Sequence, residues 1–250
     1  MTLSLLKVRS CGRSCAVLLS PCTYTQELCR LLTPRYALHC ERLLLPPSFT
    51  AYSAYGDARC ELDLTFGIGA YLHFRLGASR YESSCVTAHM RGNHCSLALN
   101  EALLSVPAFS RRVPLGARIL PFDLLTLDHS YAVSFFHALP LSRVPLAEWG
   151  TRIAAAPSLP LHTRAVFCEY AHGGALSLRV WDETEGELPS SVTASAAALH
   201  LSLLRGMVSA RECVTVRMRG GAITARASEV LGETLVYTEA QICFEAKLEL

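Results

Sequence analysis

Residues 193–204 read TASAAALHLSLL, and this stretch decides the fold. Ala194, Ala196, Ala197, Ala198, Leu199, Leu201, Leu203 and Leu204 leave the segment without a polar face. A helix that is apolar all round is buried on every side. Gly206 stops it. Upstream, 166–170 and 175–181 read as strands. Downstream, 214–218, a Gly220-Gly221 turn, 223–226, 235–238 and 242–250 complete a strand-rich end. The pattern predicts one buried helix among strands.

The first half is expected to repeat that plan. Residues 3–19 read as two strands about a Gly12 turn. Residues 23–32 read as a helix capped by Thr23 or Thr25, and 36–45 as a strand stopped by Pro46-Pro47. Residues 60–66 alternate apolar and polar and read as a strand. Residues 71–76 read as another, with Gly67, Gly69 and Gly77 as punctuation. Gly92-Asn93 is expected to open this half's central helix, through roughly Leu104, with Pro107 ending it. Strands follow at 113–122 and 131–136 around a turn holding Asp123 and Asp128. Pro157 and Pro160 mark a loop. The two helix starts lie about 100 residues apart, the mark of a duplicated α+β unit. The expected lobes are 1–123 with the C-terminal strand 241–250, and 124–240.

Composition narrows the classes. The chain of 250 residues is 51% hydrophobic and 18% charged, which excludes disorder and a long coiled coil. A net charge of +2 gives no case for nucleic-acid binding. The best apolar stretch, 192–204, is shorter than the roughly 18 residues of a membrane span. Lys7, Arg9 and Arg13 break up the N-terminal apolar pieces, so no signal peptide is expected and the cytoplasm is. The eleven cysteines form no CxxC pair, so no metal site is expected. Most should be small buried hydrophobes.

Met90-Arg91-Gly92-Asn93 looks like the Met-Cys-Gly-Asn turn of the diaminopimelate epimerases. Arg179-Val180-Trp181-Asp182, Gly186-Glu187 and the Ala-rich helix look like that family's Arg-Val-Tyr-Glu-Arg, Gly-Glu-Thr and Cys-Gly-Thr-Gly segments. Lys7, Gly12, Pro157, Pro160 and 237–250 fall in the same order as further family segments. The chain resembles that family, cofactor-independent isomerases of lysine and peptidoglycan synthesis. The resemblance implies an α+β fold of two similar lobes, each a mostly antiparallel sheet wrapped around a central helix. It also implies a small amino-acid-like ligand, no cofactor and no metal, and leaves a homodimer open.

The family inverts an α-carbon with two cysteines, one before each central helix, where a thiol's pKa is lowered. By ungapped matching those two catalytic positions are Arg91 and Ser191. An arginine is always protonated and cannot act as a base. A serine hydroxyl needs an adjacent base. The substrate contacts carried over are Arg13, Glu82, Gly92, Asn93, His129, Arg164, Asp182, Glu183, Val192 and Thr193. The family's Glu-Arg pair becomes Asp182-Glu183, an anion where a cation is expected. Each residue also has a plain structural reading. Gly92-Asn93 suits a tight turn, Thr193 an N-cap, the arginines a solvated rim, and the two acids an exposed strand end or partners for those arginines. The resemblance thus implies a family member without epimerase activity. The alternative is an isomerase using relocated cysteines (Cys85 or Cys95) or Glu82 and His129.

Overall fold

The computed structural model describes residues 2–19, 42–45, 50–52, 58–59, 62–82, 86–100, 107–136, 140–171, 174–210, 212–227 and 233–249. The helix expected at 23–32 lies outside these residues, as does the strand expected at 36–45 apart from 42–45. The described elements are β1 (Thr2–Ser10), β2 (Arg13–Leu18), β3 (Arg42–Leu45), β4 (Thr50–Tyr52), β5 (Ala58–Arg59), α1 (Thr65–Leu76), β6 (Arg80–Glu82), β7 (Val86–Arg91), β8 (His94–Asn100), β9 (Ala108–Leu115), β10 (Arg118–Thr126), β11 (Ser130–Phe136), α2 (Leu146–Ala154), β12 (Arg164–Ala171), β13 (Ala175–Asp182), β14 (Gly186–Leu188), α3 (Val192–Leu204), β15 (Val214–Met218), β16 (Gly221–Ala227), β17 (Glu233–Glu239) and β18 (Gln241–Glu249). Short 3-10 turns at Leu62–Leu64 and Leu141–Arg143 precede α1 and α2. No helix among the described residues is long and apolar enough to cross a membrane.

The chain divides into two compact units, Met1–Leu97 with Tyr237–Leu250, and Ala98–Val236. Residues 98–123 therefore lie in the second unit rather than with the first lobe, and 237–240 in the first. Strand pairing is the cause. Strand β10 pairs antiparallel with β9 on one side and with β11 on the other, Asp123 opposite Val133.

In the first unit, six strands run in the order β18-β1-β2-β3-β4-β5. Only β2–β3 is parallel among them. Cys11 and Gly12 carry positive φ (46° and 82°), as the two-residue turn joining β1 to β2 requires. Strand β2 is buried on both faces. Helix α1 packs on β1, β2, β6 and β7. Its first six residues are buried, while Phe74, Arg75 and Leu76 are exposed.

Two expectations are corrected here. No helix begins at Gly92-Asn93. These residues form the turn between β7 and β8, with Gly92 at φ 59°. Along β8, Cys95, Leu97 and Leu99 are buried and alternate with more exposed residues, which is the period of a strand and not of a helix. Among the described residues the helix of this unit is α1, where two strands separated by glycines are expected. Burial against β2 and the β7–β8 hairpin outweighs the poor helix propensity of Gly67 and Gly69.

The second unit runs β17-β16-β15-β13-β12-β11-β10-β9, with β14 beside β13. Pairs β11–β12 and β13–β15 are parallel, and the other printed pairs are antiparallel. The single strand expected at 113–122 is two strands about Gly116. Phe167 anchors the core here, with Phe122, Phe136 and Trp149 within 6.1 Å of its ring. Helix α2 was not expected, though Pro145 before it and Leu146, Trp149, Gly150 and Ile153 at helical spacing signal it. Helix α3 stands where it is expected and packs on β11, β12 and β16, buried through Leu199.

Candidate functional site

Ser191 sits in extended backbone conformation directly before α3, and its Oγ accepts the Ala194 N–H at 3.0 Å. It is a helix N-cap, satisfying one of the donors that the first turn leaves open. Thr193, in that first turn, lies with its hydroxyl 3.3 Å from the Ser191 Oγ and 2.6 Å from the Tyr131 hydroxyl. Tyr131 also reaches Asp128, donating to Oδ1 at 2.8 Å. A carboxylate can only accept, so Tyr131 spends its one proton on Asp128. Thr193 then donates to Tyr131, and Ser191 to Thr193. The result is a directed row of hydroxyls from the helix opening to a carboxylate. Ser191, Thr193 and Tyr131 are all fully buried.

Asp128 Oδ1 also accepts the backbone N–H of His129. Its Oδ2 lies 3.2 Å from His129 Nδ1, close enough for charge attraction. Neither of these two buried atoms makes a hydrogen bond, so the angle between them is wrong for one. His129 is thereby brought to the same cluster as Ser191, Val192 and Thr193.

Tyr131 stands opposite Arg164 across the parallel β11–β12 pair. Arg164 is buried, and its Nε donates to Asp182 Oδ2 at 2.7 Å. Asp182 Oδ1 accepts the backbone N–H groups of Thr184 and Glu185. Burial alone would raise this carboxyl's pKa. The Arg164 charge and hydrogen bond, joined by the two backbone donors, outweigh it and hold the pKa below the usual 3.8. Arg164 is therefore engaged by an internal carboxylate, and Asp182 is no exposed acid. Its neighbour Glu183 is exposed, 3.1 Å from His162 Nδ1.

Arg179 and Glu187 form a bidentate pair, and Arg179 Nη1 also donates to the carbonyls of Leu141 and Val144. The hydrogen bond to Glu187 raises the Arg179 pKa, and the same bond lowers that of Glu187. The pair clamps β13 and β14 to the turn before α2.

The first unit holds a second internal pair. Arg13, the first residue of β2, is 1% exposed and donates from Nη1 to Asp63 Oδ2 at 3.1 Å. Asp63 lies two residues before α1. That helix starts without a side-chain cap, although Thr65 Oγ1 donates to the Leu62 carbonyl at 2.8 Å. Gly67 is required by close approach, since a Cβ there would stand 2.4 Å from the Cys15 Sγ. Met90 and Cys95 lie against Gly69 in the same way. Arg91, Gly92 and Asn93 are exposed on the hairpin tip. Glu82 is exposed and paired to Arg80 at 2.8 Å. Neither Arg91 nor Glu82 belongs to a cluster of polar groups like that of α3.

Three of the described thiols behave as packed hydrophobes. Cys15, Cys95 and Cys168 are buried, and burial pushes the Cys95 thiol up to about 12 and raises that of Cys168. Cys213 and Cys243 are exposed. Cys85 lies outside the described residues.

No protein-family profile matches the chain. The chain is 30% identical over 162 residues to a diaminopimelate epimerase from Chromobacterium violaceum, covering 56% of this chain and 58% of that protein. A second such enzyme, from a Wolbachia species, is 29% identical over 121 residues, 44% of this chain and 46% of that protein. The matches thus span about half the length of these relatives. Among solved structures, a phenazine biosynthesis PhzC/PhzF-type protein from Clostridium difficile superposes with a TM-score of 0.73 at 10% identity, covering 99% of this chain and 100% of that one. A hydroxyproline epimerase from Agrobacterium vitis, solved with trans-4-hydroxy-L-proline, shares the fold with a TM-score of 0.64 at 13% identity, over 100% of this chain and 93% of that one. The chain has the fold that these structures share.

The two buried helix openings described are 62–67 and 190–193. The sequence reading expects a helix after the second and strands around the first. It also passed over Tyr131 and Asp63, which it treated as strand residues. Their signal is weak: a tyrosine at the start of an otherwise apolar strand, and an aspartate inside an apolar run.

Proposed function

We propose that this chain keeps the ligand-binding frame of a cofactor-independent amino-acid isomerase but does not epimerise diaminopimelate. One observation carries the reading: by the ungapped match neither cysteine position of the family holds a thiol, Arg91 and Ser191 standing there. At α3 the family's cysteine position holds Ser191, whose hydroxyl is already committed to capping the helix. The other position holds Arg91, always protonated and exposed on the tip of the β7–β8 hairpin. Arg13 and Arg164, at family asparagine positions, are both engaged by internal aspartates, which disfavours a carboxylate ligand on either. A positioned acid or base contributes roughly 10²–10⁴-fold, so losing both removes on the order of 5 to 10 kcal/mol of barrier lowering.

The test is incubation of the purified protein with LL-diaminopimelate in D2O, following the α-proton by NMR. No exchange above the protein-free control is expected. Exchange above that control refutes the reading, and its loss in Cys95→Ala would point to a relocated thiol. A second reading draws on the Asp128–His129–Tyr131–Thr193 cluster. In it an imidazole and a carboxylate beside α3 move the proton instead of a thiol. Exchange that is lost in His129→Ala would select it.

A further inference from the structure

Strands β9 and β10 form the hairpin that ends the second unit's sheet. Residues 107–122 hold three arginines and no aspartate or glutamate. Arg111, Arg112 and Arg118 are exposed, and none pairs with an acid among the described residues. Elsewhere the exposed arginines Arg75, Arg80, Arg152 and Arg219 each lie beside a glutamate, at 2.5 to 3.8 Å. The hairpin also has two unlike faces. Val113 and Leu115 of β9, with Leu120, Phe122 and Leu124 of β10, turn toward the core around Phe167. On the opposite face Arg112 stands across from Pro121, and Pro114 across from Ile119. All four are exposed, Ile119 at 64%. Asp123 follows Pro121 on that face. There Arg205 binds it and lies over the ring of Phe109, itself 47% exposed. Arg205 directly follows α3, so the shelter that helix gives the sheet ends there, and the hairpin carries the same face on uncovered.

Protection of a sheet edge explains a charge or a proline on β9, but Arg118 and Ile119 belong to β10, the inner strand of the pair. The charges also select among occupants. A second copy seated on the same face would bring arginine against arginine. An added strand finds the β9 edge interrupted by the positive-φ Ser110 and by Pro114, which has no N–H to give. A nucleic acid draws its affinity from many phosphate contacts, and this chain of net charge +2 sets only three free cations here. Carboxylates match the arginines, which hold them bidentately. Aliphatic side chains match Ile119, Pro121 and Phe109. Arginine with apolar and aromatic neighbours and no lysine is the make-up of a protein-binding surface.

We infer that the open face of the β9–β10 hairpin docks a segment of a partner protein that carries acidic and aliphatic side chains together. The experiment is fluorescence anisotropy on the full chain with a short labelled peptide of repeating Glu-Glu-Leu-Gly. Saturable binding that weakens with added salt is expected. Arg112→Glu should weaken it about tenfold, and Ile119→Ser severalfold. Arg217→Glu, exposed on β15 far across the sheet, should leave it unchanged. Replacing each leucine of the peptide by serine should weaken binding to the parent chain and matter little to Ile119→Ser. Circular dichroism checks that each variant is folded. No saturable binding overturns the inference. So does binding that Arg112→Glu and Ile119→Ser leave intact, or a single-stranded oligonucleotide that binds this face more tightly than the peptide.

Discussion

Helix α3 begins at a serine that caps it, and helix α1 begins with no side-chain cap at all. Beside each lies a buried Arg–Asp pair, yet these pairs differ in the same sense. Asp182 is held by Arg164 and by two backbone N–H groups, whereas Asp63 has Arg13 within hydrogen-bond reach just before α1. At α3 the cap is local, Ser191 to Ala194, although Thr193 also reaches Tyr131, 62 positions away. At α1 the ion pair brings in a residue from another strand, 50 positions away in sequence. The difference teaches where each helix opening is vulnerable: α1 through a long-range ion pair, α3 through its own cap as well as long-range contacts.

The largest effect should come from Arg13→Ala, which removes the cation of a buried Arg–Asp pair. Removing one partner of a buried pair costs about 3–5 kcal/mol, and denaturant unfolding should show it. Arg164→Ala should cost a similar amount, and a loss below about 1 kcal/mol for either would break the comparison.

The same pair gives a pH signature. The Asp182 pKa is lowered in the folded state, so its contribution is present above the unfolded value near 3.8 and is lost as pH falls through the folded one. The stability gap between the parent chain and Asp182→Asn should therefore be constant near neutrality and close below about pH 4. A gap that widens in acid would contradict the assignment.

Capping comes next in size. Ser191→Ala should destabilise by about 1 kcal/mol. Thr65→Ala should cost less, since alanine's better helix propensity offsets part of the lost hydrogen bond. The reverse order would mean that α1, and not α3, depends on its first side chain. The smallest effect belongs to Glu183→Gln, within about 0.5 kcal/mol on thermal unfolding, because that exposed acid differs from its neighbour Asp182 in every partner.

The second unit was legible in sequence because its helix and strands carry opposite signals. Residues 193–204 have no polar face, and the strands on either side, β13 and β15, alternate buried apolar residues with more polar ones. The first unit was not, and the reason lies in particular residues. Phe66, Gly67, Ile68 and Gly69 favour strand or turn locally, and only contact with Cys15, Met90 and Cys95 makes them helical. Gly92-Asn93 looks like a helix start but is a hairpin turn, and Cys95, Leu97 and Leu99 are two apart, as a strand requires. At the candidate site, Ser191 and Thr193 could be read from their place before an apolar helix. The role of Tyr131 could not, because its partners Asp128 and Thr193 meet only when β11 packs on α3. Arg164 and Asp182 were recognised individually. Their pairing follows from the antiparallel register of β12 and β13, which a sequence does not print.

Strand β1 lies between β2 and β18, so one of its neighbours follows it directly in the chain and the other comes only after the whole second unit. Residues 98–236, by contrast, form a contiguous unit. On the ribosome the inner unit can fold as soon as it emerges, while β1 waits with one edge open for a strand that has not yet been made. Closing so long a loop adds little to the equilibrium cost, since that cost grows only logarithmically with length. Its effect is on order and timing. The nascent chain should acquire its second unit first and its first unit last.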